Sequence, residues 1–491
     1  MTSPRDVLKF RALLAFERIG RLERLLSEAL TEAPRSSTGV VRALLSRVRY
    51  LEARLVKTTR DFSSLAARPE KIDGSRVLTD VAAVLNDLQA IHERLAFVSG
   101  GLRNAQLELF VTAVFEDAAV RLKRRLTVGV VPSDRYEFEQ HKVIDDLGGS
   151  LRDQSPTVFL PKLEFDNPLH WAPLVHEFGH TLDDISGPLI DGLIRDAAAP
   201  TGFDSDVAKS WLTEIFCDLL ATHLLGPAYL TSFVEFVACT SSSDVIEASS
   251  ATHPAHRFRI TAIKGLLRSN GVSVAYGGID SLSEKIGGLF EELAEVEQTY
   301  RDVKPRIYAE PVGFRALRRA LMEKTDNLIP PALRAVGFRN RNIATFCQRL
   351  QDGIPVGAVP AQEIAVADVH AASERLRVAV ERFSPSDRAA RLSNASMRNL
   401  NLLRRSVNER ASSVAEVLNA GWIYKWAHIY EPFMIELDSL RDTSIDRFKQ
   451  SVRRLDEVLR SSIDTAYLAK QLQELQSIPS VRKVGGEASG E

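Results

Sequence analysis

The sequence predicts a mainly helical α+β protein, with a small sheet near its centre and helical regions on both sides. Three observations carry this. Apolar residues recur at spacings of three and four over most of the chain, which lines them along one face of a helix. Two short runs, residues 126–131 and 157–165, stand out as rich in β-branched and apolar side chains ended by turn residues. Glycine and proline number only 27 and 21 of 491 residues, so few positions interrupt a helix.

The first 125 residues read as a helical bundle. Ala15, Ile19, Leu22 and Leu26 form one stripe. Val41, Leu44, Val48, Leu51 and Leu55 form a second, and Leu78, Val81, Leu85 and Leu88 a third. Breaks near Pro34 and from Pro69 to Ser75 divide the region into three or four antiparallel helices. His92 lies on the third stripe, where an interface histidine is expected rather than a ligand. The region holds 22 Lys and Arg against 15 Asp and Glu. That modest excess fits a solvated helical surface and a regulatory role.

The period changes after Arg125. Residues 126–131 and 157–165 predict two strands. Pro161 has no N–H to give to a central ladder, which predicts that the second strand is an edge. Helices are predicted next over 169–185, 206–225 and 254–269. Beyond Gly271 they are predicted over 281–301, 312–324, 340–351, 364–382, 386–420 with breaks, and 445–476. Residues 477–491 are small and polar and read as a flexible tail. The length supports several domains. The divisions fall at 1–125, a helical bundle or regulatory region; 126–271, the central domain with the sheet; and 272–476, a C-terminal helical region.

Composition narrows the function. Hydrophobic residues make up 45% and charged residues 26%, enough apolar surface for a core. The net charge of −1 gives no electrostatic footprint for nucleic acid. No stretch of about 20 residues is uniformly apolar, so no transmembrane segment is expected. Charges interrupt the first 22 residues every few positions, unlike the apolar stretch of a signal peptide. Cys217, Cys239 and Cys347 form no C-x-x-C pair, so a disulfide framework is not expected. A cytoplasmic location is the expectation that follows.

The informative residues are His176-Glu177-Phe178-Gly179-His180. On a helix, residues four apart lie on one face, so both imidazoles point the same way and can take two corners of a zinc tetrahedron. Glu177, beside the first histidine, lies where a general base must sit to reach an activated water. Glu214 and Asp218 are again one turn apart, inside an otherwise apolar segment from Trp211 to Leu220. Buried carboxylates need partners. Glu214 can complete the ligand set, and Asp218 can accept from a ligand histidine and fix its tautomer. Cys217, between the two acids, reads as a buried structural thiol. His253 precedes Pro254 at a predicted helix start, where it can donate to a developing oxyanion, and Arg259 can neutralise charge nearby. His256 competes with His253 for that role. Tyr229 is a further possible oxyanion donor, though a core tyrosine is the simpler reading. His170 points to a different face from His176 and is not expected to be a ligand.

These elements resemble the gluzincin metallopeptidases, most closely the M48 family. That family shows H-E-x-x-H, then E-x-x-x-D-x-x-A, then H-P followed by an arginine. Here the matching residues are His176, Glu177 and His180, then Glu214, Asp218 and Ala221, then His253, Pro254 and Arg259. The resemblance spans about 100 residues, from Leu169 to Ile260. It implies a zincin-like catalytic core, Zn2+ held by His176, His180 and Glu214, and Glu177 as base. It also implies Asp218 behind the ligands, with His253 and Arg259 supporting the transition state.

The function expected on this reading is zinc-dependent hydrolysis of peptide bonds in a protein or peptide substrate. The substrate would lie along the strand at 157–165, with the helical flanks restricting access or recruiting a protein partner. The alternative is a non-catalytic, zinc-stabilised sensor or interaction module with helical arms.

Overall fold

The computed structural model describes residues 4–32, 35–60, 71–94, 104–123, 129–141, 157–197, 204–240, 250–270, 311–324, 329–338, 343–353 and 413–476, apart from a few positions inside these ranges. The helices expected over 281–301 and 364–382, most of that over 386–420 and the tail at 477–491 lie outside the described residues.

Among the described residues the protein is mostly helical, with one small sheet. The N-terminal helices are α1 (Pro4–Glu32), α2 (Arg35–Thr59), α3 (Lys71–Glu93) and α4 (Ala105–Val111), the last running on as a π-turn over Thr112–Glu116. Three strands follow, β1 (Gly129–Ser133), β2 (Glu139–His141) and β3 (Thr157–Pro161). The central helices are α5 (Pro173–His180), α6 (Asp183–Ala197), α7 (Ser205–Leu225), α8 (Pro227–Thr240) and α9 (His256–Ser269). Beyond them come α10 (Val312–Glu323), α11 (Ile343–Gln351) and α12 (Val414–Lys425). A π-turn over Trp426–Tyr430 then leads to α13 (Glu431–Glu436) and α14 (Asp442–Gln476).

The three N-terminal stripes are helix faces that pack on one another. Ile19, Leu22 and Leu26 of α1, Val48, Leu51 and Leu55 of α2, and Leu78 and Val81 of α3 are fully buried. Each such Leu or Ile contributes about 1.5–3 kcal/mol. The expectation of a solvated basic surface fails for α1. Lys9, Arg11, Arg18 and Arg21 are buried with the apolar residues. The reason is a second layer of neighbours: α1 touches α2 and α3 on one side and α8, α13 and α14 on the other.

The sheet corrects one expectation. Its order is β1-β3-β2, with β1 parallel and β2 antiparallel to β3. The strand at Thr157–Pro161 is therefore central and not an edge. Pro161 is compatible with this because it is the last residue of the strand, opposite Ser133 at the end of the ladder. Both β2 and β3 contact α5.

A buried chain of charged groups runs between these layers. Arg21 on α1 reaches Asp456 on α14 (Nη1 to Oδ2, 2.8 Å) and Glu17 one turn back (Nη2 to Oε1, 2.8 Å). Lys425 of α12 donates to Glu17 at 3.1 Å and to Glu235 of α8 at 3.4 Å. Tyr430 donates to Glu17 at 2.6 Å. His170 lies between two carboxylates, Glu235 at 2.9 Å from Nε2 and Glu164 at 2.8 Å from Nδ1. The first is a hydrogen bond; the second is an ion-pair contact without a well-aligned hydrogen.

Burial disfavours a charge on His170, but Glu164 and Glu235 outweigh it and raise its pKa to about 9. The groups facing it are Glu164, Glu235, Lys425 behind Glu235, Arg18 and Arg21 behind Glu164, and the stacked Trp422 ring. A raised folded-state pKa adds stability that is complete below the unfolded value of 6.5 and is lost as pH rises to about 9. Unfolding free energy is expected to fall by about 3 kcal/mol across that window. His170→Gln is expected to flatten the decline in denaturant melts from pH 6 to 9.5; an unchanged slope would refute the assignment.

Candidate metal centre

Helix α5 starts at Pro173, where the missing N–H costs nothing. All its residues except His180 are buried, and Thr181 Oγ1 bonds the Phe178 carbonyl at its end. Helix α7 is capped by Asp204, whose carboxylate accepts from the Asp206 and Val207 amides. The two helices meet at Gly179. A Cβ there would sit 2.7 Å from Cys217 Sγ and 2.9 Å from Cys217 Cα. No side chain fits, and the glycine is what allows α7 to bring its acids to the histidines.

The consequence is a convergence of three groups. Glu214 Oε2 lies 3.3 Å from His176 Nε2, and Glu214 Oε1 lies 3.4 Å from His180 Nε2. The two imidazoles stand nearly perpendicular, 5.1 Å apart. Cys217 Sγ is also near, its sulfur and the histidine nitrogens all within 4.8 Å of one another. His176, His180 and Cys217 thus form a largely buried group that can hold a metal ion, and Glu214 offers a carboxylate to both imidazoles. The sulfur is packed against Gly179 at the helix crossing, whereas the Glu214 oxygens face both imidazoles.

Behind His176 a second layer forms. Asp218, fully buried, places Oδ1 2.9 Å from His176 Nδ1, and His176 Nε2 faces Glu214 Oε2 at 3.3 Å and Arg259 Nη2 at 3.4 Å. Arg259 of α9 clasps Asp218 with two bonds, Nε to Oδ2 and Nη2 to Oδ1, each 2.8 Å. Its Nη1 is 3.4 Å from Glu214 Oε2, and its guanidinium lies 4.7 Å over the Phe233 ring. Tyr229 donates to Asp218 Oδ1 at 2.5 Å.

The electrostatics suit a cation. Burial opposes the charge of Asp218, but Arg259 and His176 outweigh this and hold its carboxyl well below the usual range. Glu214 is brought down to about 2 against its burial by His176 and Arg259. Asp218 and Glu214 likewise overcome burial at His176 and raise it to about 10, while burial and the His176 charge push His180 down to about 4. Glu177 is buried beside His176. Without a metal, the His176 proton and Arg259 offset the carboxylates of Glu214 and Asp218. A metal ion would take the place of that proton on His176, so the donor set can hold a cation.

The remaining predicted residues are placed as follows. The His253 side chain is 57% exposed, with Nε2 3.6 Å from Glu214 Oε1 and Nδ1 2.9 Å from Thr252 Oγ1. It stands on the open side of the cluster, next to His180, whose side chain is 26% exposed. The His256 ring packs nearly perpendicular to the Phe233 ring, 5.5 Å between centres. Arg259, expected near developing charge, is engaged with Asp218 and Glu214. Tyr229 of α8, a core tyrosine or an oxyanion donor by its sequence, is buried and gives its hydroxyl to Asp218, and Phe233 of the same helix has no polar group that could signal its place.

No family, curated protein or solved structure matches the chain. Among the described residues, no helix is long and apolar enough to cross a membrane.

Proposed function

We propose that this chain is a zinc-dependent metallopeptidase of the gluzincin type, with the region 126–271 as a zincin-like catalytic core. The observation that carries the reading is the meeting of His176, His180 and Glu214 at one point, with Asp218 holding the far nitrogen of His176. A bound zinc ion supplies Lewis acidity toward a carbonyl oxygen and lowers the pKa of water toward 7. Glu177 takes the proton of the attacking water and returns it to the leaving amine. His253, on the open side and steadied by Thr252, donates to the developing oxyanion. Arg259 acts one layer back by fixing Asp218. The peptide lies extended along the outer strand β2, which contacts α5, in place of the central β3. The helical flanks restrict access or recruit a partner protein. Three cysteines outside any disulfide suit a reducing, cytoplasmic setting.

The nearness of Cys217 favours a second reading, a non-catalytic module in which a closed metal site only stabilises the fold. One comparison separates them. Wild type and Glu177→Gln are incubated with a diverse peptide mixture, and cleavage is followed by mass spectrometry alongside metal content. The peptidase reading expects cleavage by wild type and a loss of about 100- to 10,000-fold in Glu177→Gln, with metal retained. Metal-loaded wild type that cleaves nothing, or equal cleavage by the variant, would overturn it.

A further inference from the structure

We propose that Tyr229 is a positioning residue for the metal centre, setting the direction of His176 through Asp218. The inference rests on the reading of His176, His180 and Glu214 as metal ligands. Three facts lead to it. Tyr229 is 1% exposed, so its hydroxyl serves the interior and not a substrate. That hydroxyl donates to Asp218 Oδ1 at 2.5 Å, the same oxygen that faces His176 Nδ1 at 2.9 Å. The Tyr229 ring lies within 3° of parallel to the His176 ring, their centres 6.5 Å apart, and 3.4 Å separates its oxygen from His176 Nδ1.

The division of labour follows from the donor count. Arg259 grips both oxygens of Asp218 and supplies the compensating charge. It fixes the plane of the carboxylate. One Asp218 oxygen must still be presented to His176, and Tyr229 approaches that oxygen from α8, a different helix from the Arg259 donor. Two hydrogen-bond donors from two helices determine where Oδ1 lies, and Oδ1 determines how the imidazole turns. Phe233, one turn on from Tyr229, stacks on the Tyr229 ring at 6.0 Å and underlies Arg259. The Tyr229 and Phe233 pair therefore supports both donors to Asp218. Nothing in the distances gives Tyr229 a direct role at a scissile bond.

Tyr229→Phe deletes one oxygen and keeps the ring, the packing and the Arg259 pair. Zinc affinity is measured by competition with a chromophoric chelator, and the visible spectrum is recorded with Co2+ as probe. Asp218→Asn and the double variant are measured beside it. The expected result is a 10- to 100-fold weaker zinc affinity and a shifted Co2+ band in Tyr229→Phe. The change should add little on top of Asp218→Asn, because Tyr229 acts through Asp218. Unchanged affinity and spectrum in Tyr229→Phe would overturn the proposal, as would fully additive losses in the double variant. If wild type binds neither Zn2+ nor Co2+, the ligand reading itself fails; the proposal on Tyr229 fails alone when wild type binds and Tyr229→Phe does not differ.

Discussion

Purified wild-type protein is expected to hold about one divalent metal ion per chain, and His180→Ala or Glu214→Gln is expected to hold almost none. Each variant removes one of three converging donors. The affinity loss should exceed a hundredfold, since even residues that only orient ligands cost 10- to 100-fold. Glu214→Gln keeps the size of the side chain, so an empty site there cannot be blamed on a hole in α7. Cys217→Ser decides between the two donor sets. If the carboxylate is the third ligand, Cys217→Ser keeps its metal, because its sulfur serves the contact with Gly179. If elemental analysis finds metal lost from Cys217→Ser and kept in Glu214→Gln, the donor set is two imidazoles and a thiolate. The peptidase reading then loses its footing.

Arg21→Met is expected to lower the unfolding free energy by about 3–5 kcal/mol, the cost of leaving a buried carboxylate without its partner. Asp456 and Glu17 both lean on this guanidinium, and both are buried. Burial already raises the pKa of Asp456 despite Arg21, its main partner, and the more distant Arg24. Lys425 and Tyr430 still hold Glu17, whose carboxyl they and Arg21 bring down to about 2 against its burial. Asp456 is thus the exposed partner of the loss. Replacing both members, Arg21→Met with Asp456→Leu, should recover most of the stability, because a buried ion pair exchanges for apolar packing at little net cost. Urea unfolding of the two singles and the double measures this. A loss below about 1 kcal/mol in Arg21→Met would show that the pair is solvated.

The parts of the site legible in the sequence are those with a helical period. His176 and His180, and Glu214 and Asp218, are each one turn apart, and helix geometry alone puts each pair on one face. That the two faces meet is a tertiary fact, hinted at by Gly179 because a glycine inside a helix needs a reason. Tyr229 carried no such pattern: its partner Asp218 lies 11 residues away on another helix. The sheet was harder to read. β2 is three residues long, too short for alternation to register, and it takes an edge that Pro161 had suggested for β3. The burial of α1 was hidden for a different reason. Glu17 and Arg21 are four residues apart, the spacing of any surface ion pair, and the same two residues serve equally well in an interior. Only the presence of Asp456 and Lys425 from distant helices tells the two apart.

The Arg21–Asp456 contact joins residues 435 positions apart. Ribosomes add about 5–20 residues per second. The first helix of this pair therefore leaves the exit tunnel about 20 to 90 s before its counter-ion has been made. For that interval the second face of α1 lacks α13 and α14, and of these three neighbours only α8, which is made earlier, can cover it. A protein whose first helices packed only on one another could settle as it emerged.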